Sequence, residues 1–505
     1  MSRPKLTLAM IVRNGCTGLA RCLKSALPAV DAVVIGDTGS TDSSVEIARE
    51  LGARVFGVAW ENDFSKARNA VLAEVETDWV LWMDDDEMLD PAGAKWIPAL
   101  LEANEKAKSP IDAYEVWRWN YVNSLNSRSG GLKAEPNPFR LEESRPFPAY
   151  TRYLNTLLFR RLPGVYFESP VHETVARRVR ALGLHAAEAP FVIHHFGFAP
   201  GTEERRKEKN EYYHQLGLEN VRLHPEDSWA HYQLGLSALE HHHDPAEALG
   251  WLDRSLALKP SNQAAWVYSG ICLTRLGRLQ EALDRLHRAA GLGAVTELLA
   301  EAAGDVYFKQ NDPALAAQWY EKVGQASPSG PEAVSALVDC KRGACQVRMG
   351  DTATGLARIE AAVAREPQAG ELYEIWAAAA LQAGDTATAA RVAAERLSIG
   401  RPPAGSFVVA AVLAARLGQW EGALDLLTKG RNLYPEDRVL QREAQTAREK
   451  IATTCGGADP SGGLAPAVRQ TPSASLRQEE GAGARGCGEP AKSAPVSPID
   501  REGAE

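Results

Sequence analysis

Four consecutive carboxylates, Asp84-Asp85-Asp86-Glu87, follow directly after the apolar run Trp79-Val80-Leu81-Trp82-Met83. Carboxylates this close repel one another, so they need a cation or hydrogen-bond donors if they are to stay ionised together. Oxygen ligands of this kind suit Mg²⁺ or Mn²⁺, and these ions in turn suit a diphosphate. A solvated acidic turn is the alternative, because blocks of like charge usually lie on a surface. The polar residues that lie near the run distinguish a metal site from a solvated turn.

The residues ahead of this run predict the elements that would place it. Apolar runs at 6–12, 31–35, 54–59 and 79–83 alternate with segments of helical spacing at 19–27, 43–51 and 64–75. Such alternation predicts right-handed crossovers and a mostly parallel sheet, whose ligands bind beyond the carboxyl ends of the strands. Asn14, Asp37 and Asp84 all fall at ends of predicted strands. We therefore expect these three side chains to line one pocket.

Size and composition restrict the class of protein. The chain has 505 residues, 45% of them hydrophobic and 24% charged, and its formal net charge is −9. This length accommodates two or more domains, and the acidic balance argues against a generic nucleic-acid binder. No apolar run approaches the roughly 18 residues that span a bilayer, so no transmembrane segment is predicted. Seven cysteines without a C-x-x-C pair indicate a reducing compartment, and we expect a cytoplasmic protein.

A helical repeat with a period of about 34 residues begins near residue 228. Prolines punctuate it at 225, 260, 328, 367 and 435, and small residues recur at 235, 270, 304, 343, 377 and 411 and again at 282, 316, 355, 389 and 423. Small residues let two antiparallel helices approach closely, and glycines at 277, 350, 384 and 418 stand where the first helix of a pair should end. We predict six helical pairs, starting near 228, 263, 297, 336, 370 and 404, and a capping helix over 438–452. The pattern resembles tetratricopeptide repeats, and the small and proline-rich residues 453–505 are predicted to be disordered.

Four ordered motifs in the first ninety residues resemble those of the family 2 glycosyltransferases of the GT-A fold, in the branch that often carries tetratricopeptide repeats. The motifs are AMIVRN at 9–14, VVIGDTGSTD at 33–42, WENDFSKARN at 60–69 and WMDDDE at 82–87. The resemblance implies an α/β GT-A domain with a Rossmann-like, mostly parallel sheet over residues 1–200. A connecting helix over 201–227 and an all-α repeat solenoid over 228–452 would follow.

The resemblance implies a metal-dependent enzyme. It would transfer a sugar, expected to be a hexose, from a nucleotide sugar to a hydroxyl or thiol of a protein or a cell-surface glycan, with inversion. A uridine diphosphate sugar is the favoured donor, and Mn²⁺ or Mg²⁺ is the expected cofactor. The repeats would form a concave surface that recruits the acceptor or a protein partner.

The same resemblance assigns roles on the donor side. It implies that Asp37 lines the nucleotide pocket, that Asp84 faces the ribose, and that Asp86 ligates the cation that bridges the diphosphate. Asn14 and Arg68 complete the donor-binding residues.

Two of these donor-side assignments have structural alternatives. Asp37 could shape only a turn ahead of the helix predicted near residue 43. Arg68 could instead lie on the surface and pair with Glu61 or Asp63, since exposed ion pairs of this kind are common on helices. Asp63 is itself expected to cap the helix that starts at Phe64.

On the acceptor side, the stretch PVHET at 170–174 resembles the family's His-Glu element. An inverting transfer needs a base near the acceptor hydroxyl, so Glu173 is the candidate base, His172 would orient it or the acceptor, and Glu168 is the rival. The stretch IHHFGF at 193–198 resembles the family's closing histidine element, which makes His195 a candidate ligand of the metal or diphosphate.

Two departures from the family pattern leave a second function open. The first motif usually ends Asn-Glu but ends Asn14-Gly15 here, and Phe198 replaces a tyrosine. These changes favour a catalytically impaired GT-A domain within a repeat-based interaction scaffold. The intact carboxylates Asp84 and Asp86 favour the enzyme.

Overall fold

The structure is a computed structural model that describes residues 3–123, 127–129, 132–138, 141–197, 203–326 and 334–455. Phe198 and residues 456–505 of the predicted disordered tail lie outside these ranges. The chain divides into two compact units, one ending at Val338 and the other beginning at Asp339. This division falls within the predicted solenoid, and the predicted boundaries at 200 and 227 stay predictions.

Eleven strands and five helices make up residues 3–197 of the described chain. The strands are β1 Leu6–Val12, β2 Ala32–Asp37, β3 Arg54–Gly57, β4 Trp79–Trp82, β5 Glu87–Leu89, β6 Ala113–Val122, β7 Arg128–Ser129, β8 Leu132–Lys133, β9 Glu135–Pro136, β10 Ala149–Arg160 and β11 Ala186–His195. The helices are α1 Leu19–Ala26, α2 Ser44–Glu50, α3 Phe64–Ala73, α4 Pro91–Glu105 and α5 Ala176–Ala181.

One sheet of nine strands, counted within the described residues, has the order β3-β2-β1-β4-β10-β6-β11-β5 with β9 beside β10. The first four strands in this order pair in parallel, and β10 runs antiparallel to both β4 and β6. The α/β class is confirmed, but the sheet is mixed where a mostly parallel one was predicted, because β10 and β5 add antiparallel pairings. Its parallel half is the part that the sequence pattern predicts, whereas the strands from β5 onward could not be traced from sequence.

Buried strands place the polar residues of the predicted pocket at one edge of this sheet. Every residue of β1 and β4 is buried, as expected for parallel strands covered on both faces. Val12 at the end of β1 pairs with Asp37, the last residue of β2. Trp82 at the end of β4 pairs with Ala9 of β1. The residues that follow these strands therefore emerge at the same carboxyl edge.

The rest of the described chain is helical. The helices up to the division between the units are α6 Glu203–Leu223, α7 Ser228–Glu240, α8 Pro245–Leu258, α9 Gln263–Arg275, α10 Leu279–Ala290, α11 Glu297–Lys309 and α12 Pro313–Ala326. Helix α13 Ala336–Arg348 contains the division, and α14 Thr352–Arg365, α15 Gly370–Gln382, α16 Thr386–Arg396, α17 Ala404–Arg416, α18 Trp420–Leu433 and α19 Arg438–Cys455 follow. The six predicted repeat starts are the first residues of α7, α9, α11, α13, α15 and α17, and the capping helix ends three residues later than predicted.

The recurrent small residues lie where the two helices of a pair touch. A Cβ atom on Gly235, Gly270 or Gly304 would come within 3 Å of a leucine or tyrosine side chain of the partner helix. At Gly343 it would lie 2.6 Å from the backbone carbonyl oxygen of Gly355. The glycines predicted to end helices, at 277, 350, 384 and 418, all have positive φ, between 76° and 95°. The small residues that recur about every 34 positions therefore mark the places where paired helices touch.

The described residues include all the helices named above and most of the seven cysteines. No helix in the described ranges is long and apolar enough to cross a bilayer. Cys16, Cys22, Cys272, Cys340 and Cys345 are free thiols.

We expect Gly343→Ala to lower the free energy of unfolding by about 1–3 kcal/mol, because the added methyl group overlaps a backbone atom that cannot move cheaply. The measurement is urea unfolding followed by circular dichroism. Gly422→Ala in α18 is the matched control, since its Cβ would meet only Gln419 Cβ at 4.0 Å and alanine favours a helix. Equal stability of the two variants would contradict this account of the repeat.

Candidate functional site

The acidic run lies in the turn between β4 and β5, against the start of α1. Cys22 Sγ in α1 donates a hydrogen bond to the Asp84 carbonyl oxygen at 3.2 Å. A Cβ atom at Gly18 would lie 2.6 Å from the Asp85 carbonyl oxygen, so the close approach of turn and helix requires glycine there. The amino-terminal end of a helix carries partial positive charge, which favours nearby carboxylates. Helix α1 therefore holds the backbone of the run and offsets part of its charge.

Two buried arginines offset the charge of Asp84. Arg68 Nη2 lies 3.2 Å from Asp84 Oδ1, and Arg118 Nη2 lies 2.9 Å from Asp84 Oδ2. Arg118 also pairs with Glu87, which is fully buried and accepts a hydrogen bond from the Asp84 backbone N–H at 2.8 Å. Burial raises the pKa of Glu87, although Arg118 beside it acts in the opposite direction. The acidic run is thus a buried ion network and not the solvated turn of the alternative reading.

His195 meets Asp86 at the carboxyl edge of the sheet. His195 Nε2 lies 3.3 Å from Asp86 Oδ2, and His195 Nδ1 lies 2.6 Å from Asn120 Oδ1. Because an amide oxygen only accepts, Nδ1 carries the proton and Nε2 is the nitrogen that faces Asp86. Burial alone would lower the pKa of His195, but the charge of Asp86, its hydrogen bonding and the charge of Glu87 together raise that pKa. His195 in turn lowers the pKa of Asp86 despite the burial of that carboxyl.

Asp86 and His195 are the side chains that could hold a divalent cation. Asp86 Oδ1 is buried and accepts no hydrogen bond from the described residues. Within the described ranges, no group of three or more histidine, cysteine, aspartate or glutamate side chains is arranged to hold a metal. Proteins usually hold Mg²⁺ through one or two carboxylates together with substrate phosphates. Two protein ligands therefore suit a cation that arrives with a diphosphate.

Arg68 joins Asp84 to the predicted base. Arg68 Nε lies 2.6 Å from Glu173 Oε1, and the guanidinium lies over the rings of Trp82 and Phe167, at 4.9 Å and 5.3 Å from their centroids. Only 8% of Arg68 is exposed. The geometry brings Arg68 into contact with both Asp84, a predicted donor residue, and Glu173, the predicted acceptor residue.

The surface alternative for Arg68 is wrong. Glu61 pairs with Lys66 Nζ at 2.9 Å, and Asp63 Oδ1 accepts a hydrogen bond from the Lys66 backbone N–H at 3.0 Å. Asp63 is therefore the N-cap of α3, as expected. Both carboxylates are engaged at the start of the helix, one turn away from the buried face that carries Arg68.

The loop that carries His172 and Glu173 has an unusual backbone. Backbone hydrogen bonds in both directions between Glu168 and Thr174, at 3.1 Å and 3.2 Å, close it. Ser169 and His172 have φ of 81° and 56°, a region that costs energy for residues other than glycine. His172 is exposed, whereas the Glu173 carboxylate is buried against Arg68. Such strain persists only where surrounding contacts hold the loop.

Asp37 and Asn14 hold the loop that follows β2. The Asp37 carboxylate accepts hydrogen bonds from the backbone N–H groups of Gly39 at 3.3 Å and Ser40 at 3.1 Å. Asn14, with φ of 53°, accepts one from the Thr41 N–H at 2.7 Å through Oδ1. The turn alternative therefore describes the local contacts of Asp37. The predicted roles of Asp37 and Asn14 in donor binding stay predictions.

Sequence reasoning missed Arg118 and Asn120. Both lie on β6, whose alternate residues Tyr114, Val116, Arg118 and Asn120 are all buried. The signal was a polar pair on the otherwise apolar face of a strand. It could not be used because β6 itself was not traced from the sequence.

The Asp85 side chain lies against Gly15 and leaves no room for a larger residue at position 15. A Cβ atom on Gly15 would lie 2.0 Å from Asp85 Oδ2 and 2.7 Å from its Cγ. The Asp85 side chain therefore fills the space that a residue at 15 would need. Position 15 therefore has no room for the glutamate that usually follows this asparagine.

Residues 7–161 match the model of glycosyl transferase family 2, and residues 232–295 and 273–331 match that of the tetratricopeptide repeat. The predicted resemblance of this part of the chain to the family 2 glycosyltransferases is confirmed. Tetratricopeptide repeats follow it in the chain.

Named relatives agree with both parts. The chain is 30% identical over 302 residues to a TPR repeat-containing protein of Synechococcus elongatus, covering 56% of this chain and 66% of that one. It is 29% identical over 87 residues to the SPbeta prophage-derived glycosyltransferase SunS of Bacillus subtilis, covering 17% of this chain and 21% of that one. It is 35% identical over 85 residues to a glycosyltransferase of Rickettsia felis, covering 17% and 30%. The chain spans less than two thirds of each of these relatives.

Two solved structures each match about half of the chain with low TM-scores. The yeast Tom70 has a TM-score of 0.40 at 14% identity, covering 52% of this chain and 55% of that one. A tetratricopeptide repeat protein from Parabacteroides merdae has a TM-score of 0.40 at 15% identity, covering 48% and 94%.

We expect Gly15→Ala to destabilise the glycosyltransferase domain by about 1–3 kcal/mol, because the methyl group displaces the Asp85 carboxylate. Asp85→Ala in the Gly15→Ala background should recover part of this loss, because it removes the overlapping atoms. Gly57→Ala is the control, since its Cβ would meet nothing within 4 Å. Urea unfolding measures all three variants, and a Gly15→Ala protein as stable as Gly57→Ala would refute the steric argument.

We expect Arg118→Met to lower the free energy of unfolding by about 3–5 kcal/mol, because Glu87 and Asp84 would lose a buried partner. The matched control is Arg54→Met, which breaks an exposed pair with Glu74 and should cost at most about 1 kcal/mol. Both values come from urea titrations of the full chain. Similar losses in the two variants would show that the buried network contributes no more than a surface pair.

Proposed function

We propose that the chain is a metal-dependent glycosyltransferase that moves a sugar, expected to be a hexose, from a uridine diphosphate sugar to a hydroxyl or thiol of a protein or glycan. The observation that carries the proposal is the meeting of Asp86 and His195 at the carboxyl edge of the family 2 sheet, 3.3 Å apart, with one buried Asp86 oxygen that the described residues leave without a hydrogen bond. When bound there, Mn²⁺ or Mg²⁺ would supply Lewis-acid stabilisation of the departing diphosphate.

On the donor side, the proposed binding residues are held in place by contacts within the domain. Arg68 and Arg118 fix both oxygens of Asp84, so this carboxylate can meet a ribose without first becoming ordered. Asp37 and Asn14 shape the loop after β2, where the nucleotide base is proposed to lie. Asn120 orients the ring of His195 through its Nδ1 proton.

On the acceptor side, Glu173 is proposed as the base. Its Oε1 lies 2.6 Å from Arg68 Nε, which holds the side chain in place, and a carboxylate can accept a proton from an acceptor hydroxyl. His172 precedes it on the same loop and is exposed, so an acceptor can reach it. Attack from the side opposite the diphosphate would invert the configuration at the sugar carbon. The repeats are proposed to recruit the acceptor or a protein partner.

The proposal predicts donor hydrolysis that requires a divalent cation and Asp86. In the presence of Mn²⁺, the wild type should hydrolyse a uridine diphosphate sugar, and EDTA should abolish this activity. Asp86→Ala should lower the rate by at least about 10²-fold, as expected when a group that stabilises the leaving charge is lost. The measurement is release of uridine diphosphate across a panel of nucleotide sugars.

Glu61→Ala is the matched control, because it removes an exposed carboxylate near the start of α3 and should leave the rate unchanged. Equal and negligible turnover by the wild type and Asp86→Ala with every donor would refute the proposal and favour the interaction scaffold.

A further inference from the structure

Helix α5 links the loop of Glu173 to the first repeat. Arg177 lies in this helix, four residues after Glu173, and its Nη1 lies 2.6 Å from Asp227 Oδ2. Asp227 is the N-cap of α7, the first helix of the repeats. An ion pair therefore joins the segment that carries the predicted base to the residue that starts the repeat array. Both side chains are partly buried, with 31% and 20% exposed, which reduces the screening of the pair by solvent.

Helix α6 makes a second link, to the segment that precedes α3. Trp60 Nε1 donates a hydrogen bond to the Tyr212 hydroxyl at 3.0 Å, and that hydroxyl donates one to Asn62 Oδ1 at 3.0 Å. The rings of Phe64 and Tyr213 stack with centroids 5.9 Å apart. These contacts hold the start of α3, the helix that carries Arg68.

The two anchored segments also hold each other. The Phe64 backbone N–H donates a hydrogen bond to the Pro170 carbonyl oxygen at 2.9 Å. Arg68 and Glu173 form the ion pair described above. Because Ser169 and His172 adopt left-handed backbone conformations, the loop requires outside contacts to keep its shape. Helix α6 contacts the start of α3, whose Phe64 bonds to Pro170 of the loop, and Asp227 contacts Arg177 in α5, the helix that follows the loop.

We propose that the first repeat is a working part of the transferase site, in which Asp227 acts through Arg177 as a positioning residue for the loop of His172 and Glu173. This inference rests on the proposed function and extends it. The first repeat then helps to hold the loop of the proposed base, in addition to the proposed recruitment of an acceptor by the repeats.

The double role of Asp227 allows its two contacts to be separated. Oδ1 accepts hydrogen bonds from the backbone N–H groups of Trp229 at 2.8 Å and Ala230 at 3.4 Å, whereas Oδ2 faces Arg177. Asparagine caps helices about as well as aspartate but carries no charge. Asp227→Asn therefore keeps the cap and removes the ion pair.

Asp244 offers a matched control in the same repeat. Its Oδ1 accepts hydrogen bonds from the backbone N–H groups of Ala246 and Glu247, both at 2.9 Å, at the start of α8. Among the described residues it forms no ion pair within 4.0 Å. Asp244→Asn therefore reproduces the change of residue and of cap without touching α5.

The experiment measures two quantities on the full-length chain for Asp227→Asn, Arg177→Gln, the double variant and Asp244→Asn. One is the rate of Mn²⁺-dependent hydrolysis of a uridine diphosphate sugar, in which water replaces the acceptor. The other is the Kd of uridine diphosphate with Mn²⁺. Each single variant at the ion pair should lower kcat about tenfold or more, since small displacements of a catalytic group are costly, and should leave the Kd unchanged. The double variant should be no slower than the slower single variant.

Three results would count against the inference in different ways. Asp227→Asn with the kcat of Asp244→Asn would overturn it, and so would additive losses in the double variant, because the two residues would then act separately. A parallel rise in Kd and fall in kcat, accompanied by a lower melting temperature, would mean a general loss of structure and would also overturn it. Absence of turnover and of nucleotide binding in the wild type and Asp244→Asn would instead be a failure of the proposed function itself.

Discussion

The pairing of Asp84 with two buried arginines is the interaction on which the rest of the site depends. Four adjacent carboxylates at the end of a buried strand would repel one another strongly in a medium of low dielectric constant. Arg68 reaches Asp84 from α3, and Arg118 reaches both Asp84 and Glu87 from β6. With these charges offset, Asp86 faces His195 and is the carboxylate proposed to hold a cation. The four acidic residues therefore have different partners, and these partners, rather than the number of carboxylates, make the turn suitable for the proposed cation.

This arrangement also accounts for what the sequence could and could not predict. The parallel half of the sheet was accessible because β1 and β4 are continuous apolar runs, and the repeats because small residues recur with one period. These are local patterns, and they place Asp84 and Asp86 on one turn. Arg118 lies more than thirty residues later in sequence, on a strand whose position depends on antiparallel pairing with β10. Strand pairing over such distances cannot be predicted from a short segment of sequence. Arg118, which offsets the charge of the acidic turn, was therefore missed.

Asp37 and Gly15 illustrate two different limits of motif reasoning. The motif identified Asp37 correctly as the end of β2, yet its carboxylate is engaged by the N–H groups of its own turn. A motif residue can therefore hold the shape of a binding loop as well as face a ligand. Gly15 departed from the family pattern and suggested a lost function. The neighbouring Asp85 carboxylate occupies that space, so the glycine has a steric reason within this structure.

The strained loop of His172 and Glu173 connects these electrostatic arguments to the helical repeats. A backbone with two left-handed residues, Ser169 and His172, is stable only if contacts outside the loop contribute more than the strain costs, about 1–3 kcal/mol for each such residue. Some of these contacts come from within the transferase domain, through Arg68. Another comes from Asp227, through Arg177. The loop is thus held through two ion pairs, one at Arg68 and one at Arg177. A change at either pair alters the position of Glu173. The first repeat is therefore joined to the predicted chemistry by an ion pair that is more exposed than those of the acidic turn.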